Sequence, residues 1–258
     1  MRNRPSEETD RMILETLAKK KEYPQYKMEK LVGKTYRTVL RRVQFLEKSG
    51  LIRLTRSEPG PKGEGGKKRK IYSLTIHGLM VILSSEKGPG YFDRIAETWS
   101  FMLPLVLAKF PFFKANNCQD EIIKRLRKGA QEEIRELPGL KTFIEELSAM
   151  KGHEKVVGTS PDGLSIIREL SSEEKAERKR ESARALEAII QGRFIRNVFF
   201  PSENPDFGPS AELLARDEAQ RNFLAIMKKD RGLRDFIERE KEIRLERFRI
   251  ESENVKAW

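Results

Sequence analysis

Cysteine is almost absent from this chain of 258 residues: Cys118 has no second thiol to pair with, so no intrachain disulfide framework can form. A reducing, cytoplasmic setting follows as the expectation. Only two histidines are present, His77 and His153, and they lie too far from each other and from Cys118 in sequence to compose a metal site or a nucleophile and base. Long apolar runs are missing as well. The longest, WSFMLPLVLAKFPFF at 99–113, is interrupted by Pro104, Lys109 and Pro111 and falls short of the roughly 20 residues a spanning helix needs. It is read as buried core or an interface. The first residues, MRNRPSEETD, lead into no apolar segment of the secretory kind.

Acidic residues are scarce in one region only. Residues 1–85 hold 20 Lys and Arg against 9 Asp and Glu, a net +11, whereas residues 86–258 hold 32 against 31, a net +1. Clustered basic charge of this kind suits a polyanion, because phosphate neutralisation with counterion release needs Lys and Arg in one place.

What is present in that region has a clear order. Ser6 with Glu7, Glu8 and Asp10 opens one helix, whose stripe is Met12, Ile13 and Leu17 and which closes at Lys19 to Lys21 before Pro24. A short helix over 26–32 uses Met28, Leu31 and Val32, with Gly33 free to take positive φ. Thr35 then caps a third helix, YRTVLRRVQFLEKS, ended by Gly50. Tyr36, Val39, Leu40, Val43 and Leu46 define its buried face. Arg37, Thr38, Arg41, Arg42, Gln44 and Lys48 point the other way, and Glu47 is the helix's sole acid. Such one-sided charge fits a phosphate-lined groove, with an ordinary solvated face as the alternative.

After Gly50 the period shortens to two in LIRLTR, followed by PGPKGEGGKKRK and then KIYSL, which reads as a β-hairpin with a glycine-rich tip. The stretches GKTYRTVLRRVQFLEKSGLIRLTR and KRKIYSLTIHGL, with Thr75 capping a fourth helix to about Ser84, resemble the winged helix-turn-helix of bacterial and archaeal transcriptional regulators of the ArsR-, MarR- and PadR-like kind. The resemblance covers residues 6–85. It implies a DNA-binding transcriptional regulator, nucleoid-associated and homodimeric, that places helix 35–49 in the major groove of double-stranded DNA and the wing, 57–70, on flanking backbone. On that basis Thr35, Tyr36, Arg37, Thr38, Arg41 and Arg42 are candidate groove contacts, Arg37 and Arg41 above all, with Tyr36 alternatively core. Lys62, Lys67, Lys68 and Arg69 are candidate phosphate contacts. A replication, partition or chromatin-architectural protein, and a protein-interaction module, stand as the other readings.

The expected fold is therefore mainly α: a winged helix-turn-helix over 1–86, then an all-α domain over 87–258 for dimerisation, a partner or an effector. SSEKGPGYF at 84–92 marks the junction. Beyond it Phe92, Ile95, Ala96, Trp99 and Met102 mark one helix ending near Pro104. Ile122, Ile123, Leu126, Ala130 and Ile134 mark another that Pro138 and Gly139 stop, and Leu140, Phe143, Ile144 and Leu147 resume the pattern. Residues 151–170 read as loop. Ser171 and Glu174 form a capping box for a helix with Leu186, Ile189, Ile190, Phe194 and Val198 inside, and PSENPDFGPS breaks the chain. A helix from Ser210 through Lys229 and another beyond Gly232 to about Glu253 close the sequence, the last with Phe236, Ile243 and Ile250 at seven-residue spacing suited to self-packing or to a second copy. GKT at 33–35 lacks the first glycine and the preceding strand of a phosphate-binding loop, since Met28 occupies the glycine's place. Carboxylates alternate with Lys and Arg in EEIRE and EREKEIRLERFR, as on salt-bridged helices, so neither catalysis nor a cofactor is expected.

Overall fold

A computed structural model describes residues 5–59, 68–85, 89–150, 154–159, 165–200 and 218–256. The chain is mainly helical, and its contacts divide it into two units, Met1–Ser85 with Arg127–Phe194 and Glu86–Leu126 with Ile195–Trp258.

The first unit opens with α1 (Pro5–Lys19), a two-residue strand β1 (Tyr23–Pro24), α2 (Gln25–Val32) and α3 (Tyr36–Lys48). Ile13, Leu17, Met28, Val39, Val43 and Leu46 are buried where these three helices meet. Removing each such side chain from water is worth about 1.5–3 kcal/mol. Leu31, expected inside, is 52% exposed. In an eight-residue helix Met28 and Val32, four apart, already cover the buried stripe, and Leu31 falls to its side. Gly33 takes the left-handed conformation at φ 64°, and its N–H closes on the Glu29 carbonyl.

α3 ends as its sequence predicts. Gly50 sits at φ 73°, its N–H bonds to the Glu47 carbonyl at 3.0 Å, and Leu51 N–H reaches back to the Leu46 carbonyl at 3.0 Å, which completes a Schellman turn. The chain leaves that turn as β2 (Ile52–Glu58) and returns as β3 (Arg69–Leu74), antiparallel, with Ile52 opposite Leu74 and Glu58 opposite Arg69. A bulge between Leu54 and Arg56 bends β2. β1 pairs with the other edge of β3, giving the order β1-β3-β2. The central strand therefore buries Ile71, Tyr72, Ser73 and Leu74, while only Ile52 of β2 is buried. Thr75 then caps α4 (Ile76–Leu83), accepting from Gly78 N–H at 3.2 Å.

α7 (Gln119–Met150) runs unbroken for 32 residues, through Pro138 and Gly139, where a stop was expected. A proline removes its own N–H bond and crowds the preceding turn, but the turns on either side retain theirs, and a long helix carries the defect. Residues 154–159 and 165–169 are likewise not loop. Strands β4 (Glu154–Thr159) and β5 (Ser165–Glu169) pair antiparallel, with Val156 opposite Ile167, so the region after α7 is not all-α. Gly158 lies within β4, and the β-branched pairs Val156–Val157 and Ile166–Ile167 are the strand formers that the local glycine and proline content obscured. α8 (Ser172–Phe199) begins with the expected capping box: Ser171 N–H donates to Glu174 at 2.9 Å and Glu174 N–H to Ser171 Oγ at 3.2 Å. Arg193 of α8 bridges Glu133 and Glu136 of α7. Burial pushes the Glu133 carboxyl up, against the pull of Arg193. Ile190, Phe194 and Val198 are buried, but Leu186 is half-buried and Ile189 exposed.

The second unit holds α5 (Pro89–Trp99), α6 (Phe110–Ala115), α9 (Glu218–Met227) and α10 (Arg231–Lys256), together with the start of α7 and the end of α8. Its centre is aromatic. Phe113 stacks on Phe223 with ring centres 5.5 Å apart, Phe199 lies against both, and the Arg125 guanidinium covers the Phe223 ring at 4.2 Å. Trp99, Leu103, Val106, Leu107, Phe110 and Phe113 are all buried, as the apolar run suggests. The expected helix start at Ser210 lies outside the described residues, and α10 begins at Arg231, one residue before Gly232. Asp230 precedes it, accepting from Leu233 N–H at 3.0 Å and from Lys109 Nζ at 2.8 Å. Along α10, Phe236 packs on Phe199 and Phe200, whereas Ile243 and Ile250 are exposed. Among the described residues no helix is long and apolar enough to cross a membrane, and no group of three or more His, Cys, Asp or Glu is placed to hold a metal.

Candidate nucleic-acid interface

α3 is held from three sides. Val39, Val43 and Leu46 anchor it in the core. Thr35 caps it, its hydroxyl 3.4 Å from Thr38 N–H and 3.0 Å from the Thr38 hydroxyl. Near its other end Glu47 accepts the Tyr72 hydroxyl at 3.1 Å from the central strand. Burial and the neighbouring Glu47 carboxylate both push the Tyr72 phenol well above its usual range, so it remains a neutral donor. The sole acid of α3 is thus turned into the sheet, and the outward face is left cationic.

Arg37, Arg41 and Lys48 are exposed on that face, with Gln44 between them. Seven arginines are described between residues 5 and 85, and their partners separate them. Arg11 pairs with Glu15, Arg42 with Asp10, Arg53 with Glu187, and Arg56 with both Glu22 and Glu58. Arg69 lies over the Tyr26 ring at 4.4 Å. Arg37 and Arg41 have no hydrogen bond or ion pair with any described residue.

Two of the expected contacts have partners within the fold. Arg42 grips Asp10 of α1 with two nitrogens, Nε to Oδ1 at 2.6 Å and Nη2 to Oδ2, and stacks on Phe45 at 4.3 Å. Its side chain is 18% exposed, its pKa is raised by the hydrogen bond to Asp10, and it serves helix packing. Arg69, at the start of β3, donates to the Tyr26 hydroxyl at 3.3 Å and so ties the loop end of β3 to α2. Tyr36, left open between groove and core, is 49% exposed. Thr35 and Thr38 are exposed and bound to each other. Lys68 is exposed at the returning edge of the hairpin, and Lys62 and Lys67 lie outside the described residues.

Three lysines escaped the sequence reading. Lys27 and Lys30 of α2 and Lys34 of the turn are exposed beside α3, and neither Lys30 nor Lys34 has a described partner. The three-residue spacing of Lys27 and Lys30 places those two on one side of α2, and Lys34 follows in the turn after Gly33.

No family model, curated protein or solved structure matches this chain.

Proposed function

We propose that residues 5–85 form a winged helix-turn-helix that binds double-stranded DNA, and that the chain is a sequence-specific transcriptional regulator acting as a homodimer. α3 is the major-groove helix and the β2–β3 hairpin is the wing. The order of three helices with sheet β1-β3-β2 supports the first assignment. The observation that carries the reading is the sorting of arginines: five are neutralised or stacked within the fold, while Arg37 and Arg41, one turn apart on α3, present free guanidinium forks to solvent. A fork of this kind pairs bidentately with guanine O6 and N7. Lys30, Lys34 and Lys68 would neutralise phosphates on either side, fixing register without reading sequence.

Footprinting of the full chain on genomic fragments tests the assignment. The expected result is protection of two half-sites about one helical turn apart, one per protomer. The double variant Arg37→Ala/Arg41→Ala should lose specific binding by about 2–6 kcal/mol in total, at about 1–3 kcal/mol per bidentate pair. An unchanged footprint in that variant overturns the role of α3. A single half-site overturns the dimer, and equal affinity for random and selected duplex moves the protein to the architectural class.

A further inference from the structure

On the reading of α3 as the groove helix, we infer that Gln44 is a specificity-determining residue that reads an adenine edge. Arg37, Arg41, Gln44 and Lys48 stand at i, i+4, i+7 and i+11, so they share one stripe of the helix, and all four are exposed. None of them has a hydrogen bond or ion pair with a described residue. With Arg42 drawn onto Asp10 and over Phe45, this stripe carries the unpartnered polar side chains that α3 exposes beyond its first turn.

The chemistry of the four side chains is unequal. Arginine and lysine carry donors only, so Arg37, Arg41 and Lys48 complement only acceptor edges such as guanine O6 and N7. Adenine offers an acceptor at N7 beside a donor at N6, and satisfying both takes a group that donates and accepts from one plane. Gln44 supplies the stripe's only such group, its terminal amide. It lies seven residues beyond Arg37, roughly 10 Å along the helix axis, which is about three base-pair steps. The preferred half-site is then guanine-rich with one adenine set apart from the guanine that Arg37 contacts. A neutral amide among cations adds nothing to a charge count, which is why charge patterning passes over it.

Selection from random duplexes with the full chain, Gln44→Ala and Gln44→Glu tests this. The wild type should yield a motif containing one adenine position. Gln44→Ala should lose preference at that position alone, with about tenfold weaker binding to the wild-type site and an unchanged circular dichroism spectrum. Gln44→Glu, which accepts but cannot donate from its ionised carboxylate, should move the preference towards cytosine, whose N4 is a donor. A motif whose guanines vanish in Arg37→Ala and Arg41→Ala but whose remaining positions are untouched by both Gln44 variants overturns the role of Gln44 and keeps that of α3. Failure of the wild type to select any motif overturns both.

Discussion

Arg41 and Arg42 are neighbours in sequence and sit in opposite environments, Arg41 exposed without a described partner and Arg42 held within the fold. Arg42 makes a two-pronged, mostly buried pair with Asp10, an arrangement in which charge-assisted bonds are worth about 1.5–3 kcal/mol. Arg42→Ala should therefore lower unfolding stability by about 2 kcal/mol, and a double-mutant cycle with Asp10→Ala should show strong coupling. Arg41→Ala should leave stability within about 0.5 kcal/mol while weakening DNA binding. Denaturant titration and binding assays on the same two variants separate these outcomes; a stability loss in Arg41→Ala, or none in Arg42→Ala, reverses the assignment. The sequence could not distinguish the two arginines, because Asp10 lies 32 residues away and only the packing of α1 on α3 brings it near. Asp230 offers a second residue-scale test. Burial alone would raise its pKa, but bonds from Lys109 and from Leu233 N–H outweigh that and hold it below the usual carboxylate range. Its folded pKa being depressed, its contribution is present above the ordinary value of about 3.9 and is lost as pH falls through the lower folded value. Asp230→Ala should cost about 1 kcal/mol at neutral pH, as for loss of a helix cap, and should flatten the acid limb of the stability profile below about pH 4.

Glycine substitutions report on elements, and two of them should act with opposite sign. A Cβ on Gly78 would stand 2.1 Å from the Leu51 carbonyl oxygen, which also receives Thr75 N–H at 3.1 Å. The Cβ position is fixed by the backbone of α4 and the oxygen it meets is backbone too, where the Schellman turn of α3 meets the first turn of α4, so neither side can swing away. Gly78→Ala should cost about 3 kcal/mol, the upper end for overpacking. Gly192, inside α8, has nothing within 4 Å of its would-be Cβ, so Gly192→Ala should stabilise by about 1 kcal/mol through helix propensity. Chemical denaturation of both variants checks the pair. Elements that rest on local rules were legible in the sequence: the Thr35 and Thr75 caps, the Gly50 turn, the Ser171–Glu174 box and the β2–β3 alternation each declare themselves within a few residues. Those that depend on distant partners were not. Two-residue β1 exists because β3 offers it an edge, α7 continues past Pro138 against local propensity, and β4–β5 lie among glycine and proline residues that read locally as loop.

Across the whole molecule, charge is distributed by region: a net +11 over residues 1–85 against +1 over residues 86–258. The fold sharpens that contrast, since the acids Asp10, Glu22, Glu47 and Glu58 are engaged by Arg42, Arg56 and Tyr72, leaving Lys30, Lys34, Arg37, Arg41 and Lys48 on and beside α3 without described partners. In the second unit acids nearly balance the cations, and some pair on their own helix, as Lys241 does with Glu238 at 3.1 Å. Salt dependence reads this arrangement directly, because each phosphate neutralised adds about 0.9 to the magnitude of the slope of log K against log salt. With about four phosphate contacts per protomer the slope should be near −4 per protomer. Lys30→Ala/Lys34→Ala should reduce its magnitude by about 2 and weaken all duplexes alike, without altering which sequence is preferred. Lys241→Ala should leave the slope unchanged. A slope insensitive to the α2 and turn lysines but altered by Lys241→Ala would place the polyanion surface on the helical second unit, and the regional charge would then have to be explained as solvation rather than recognition.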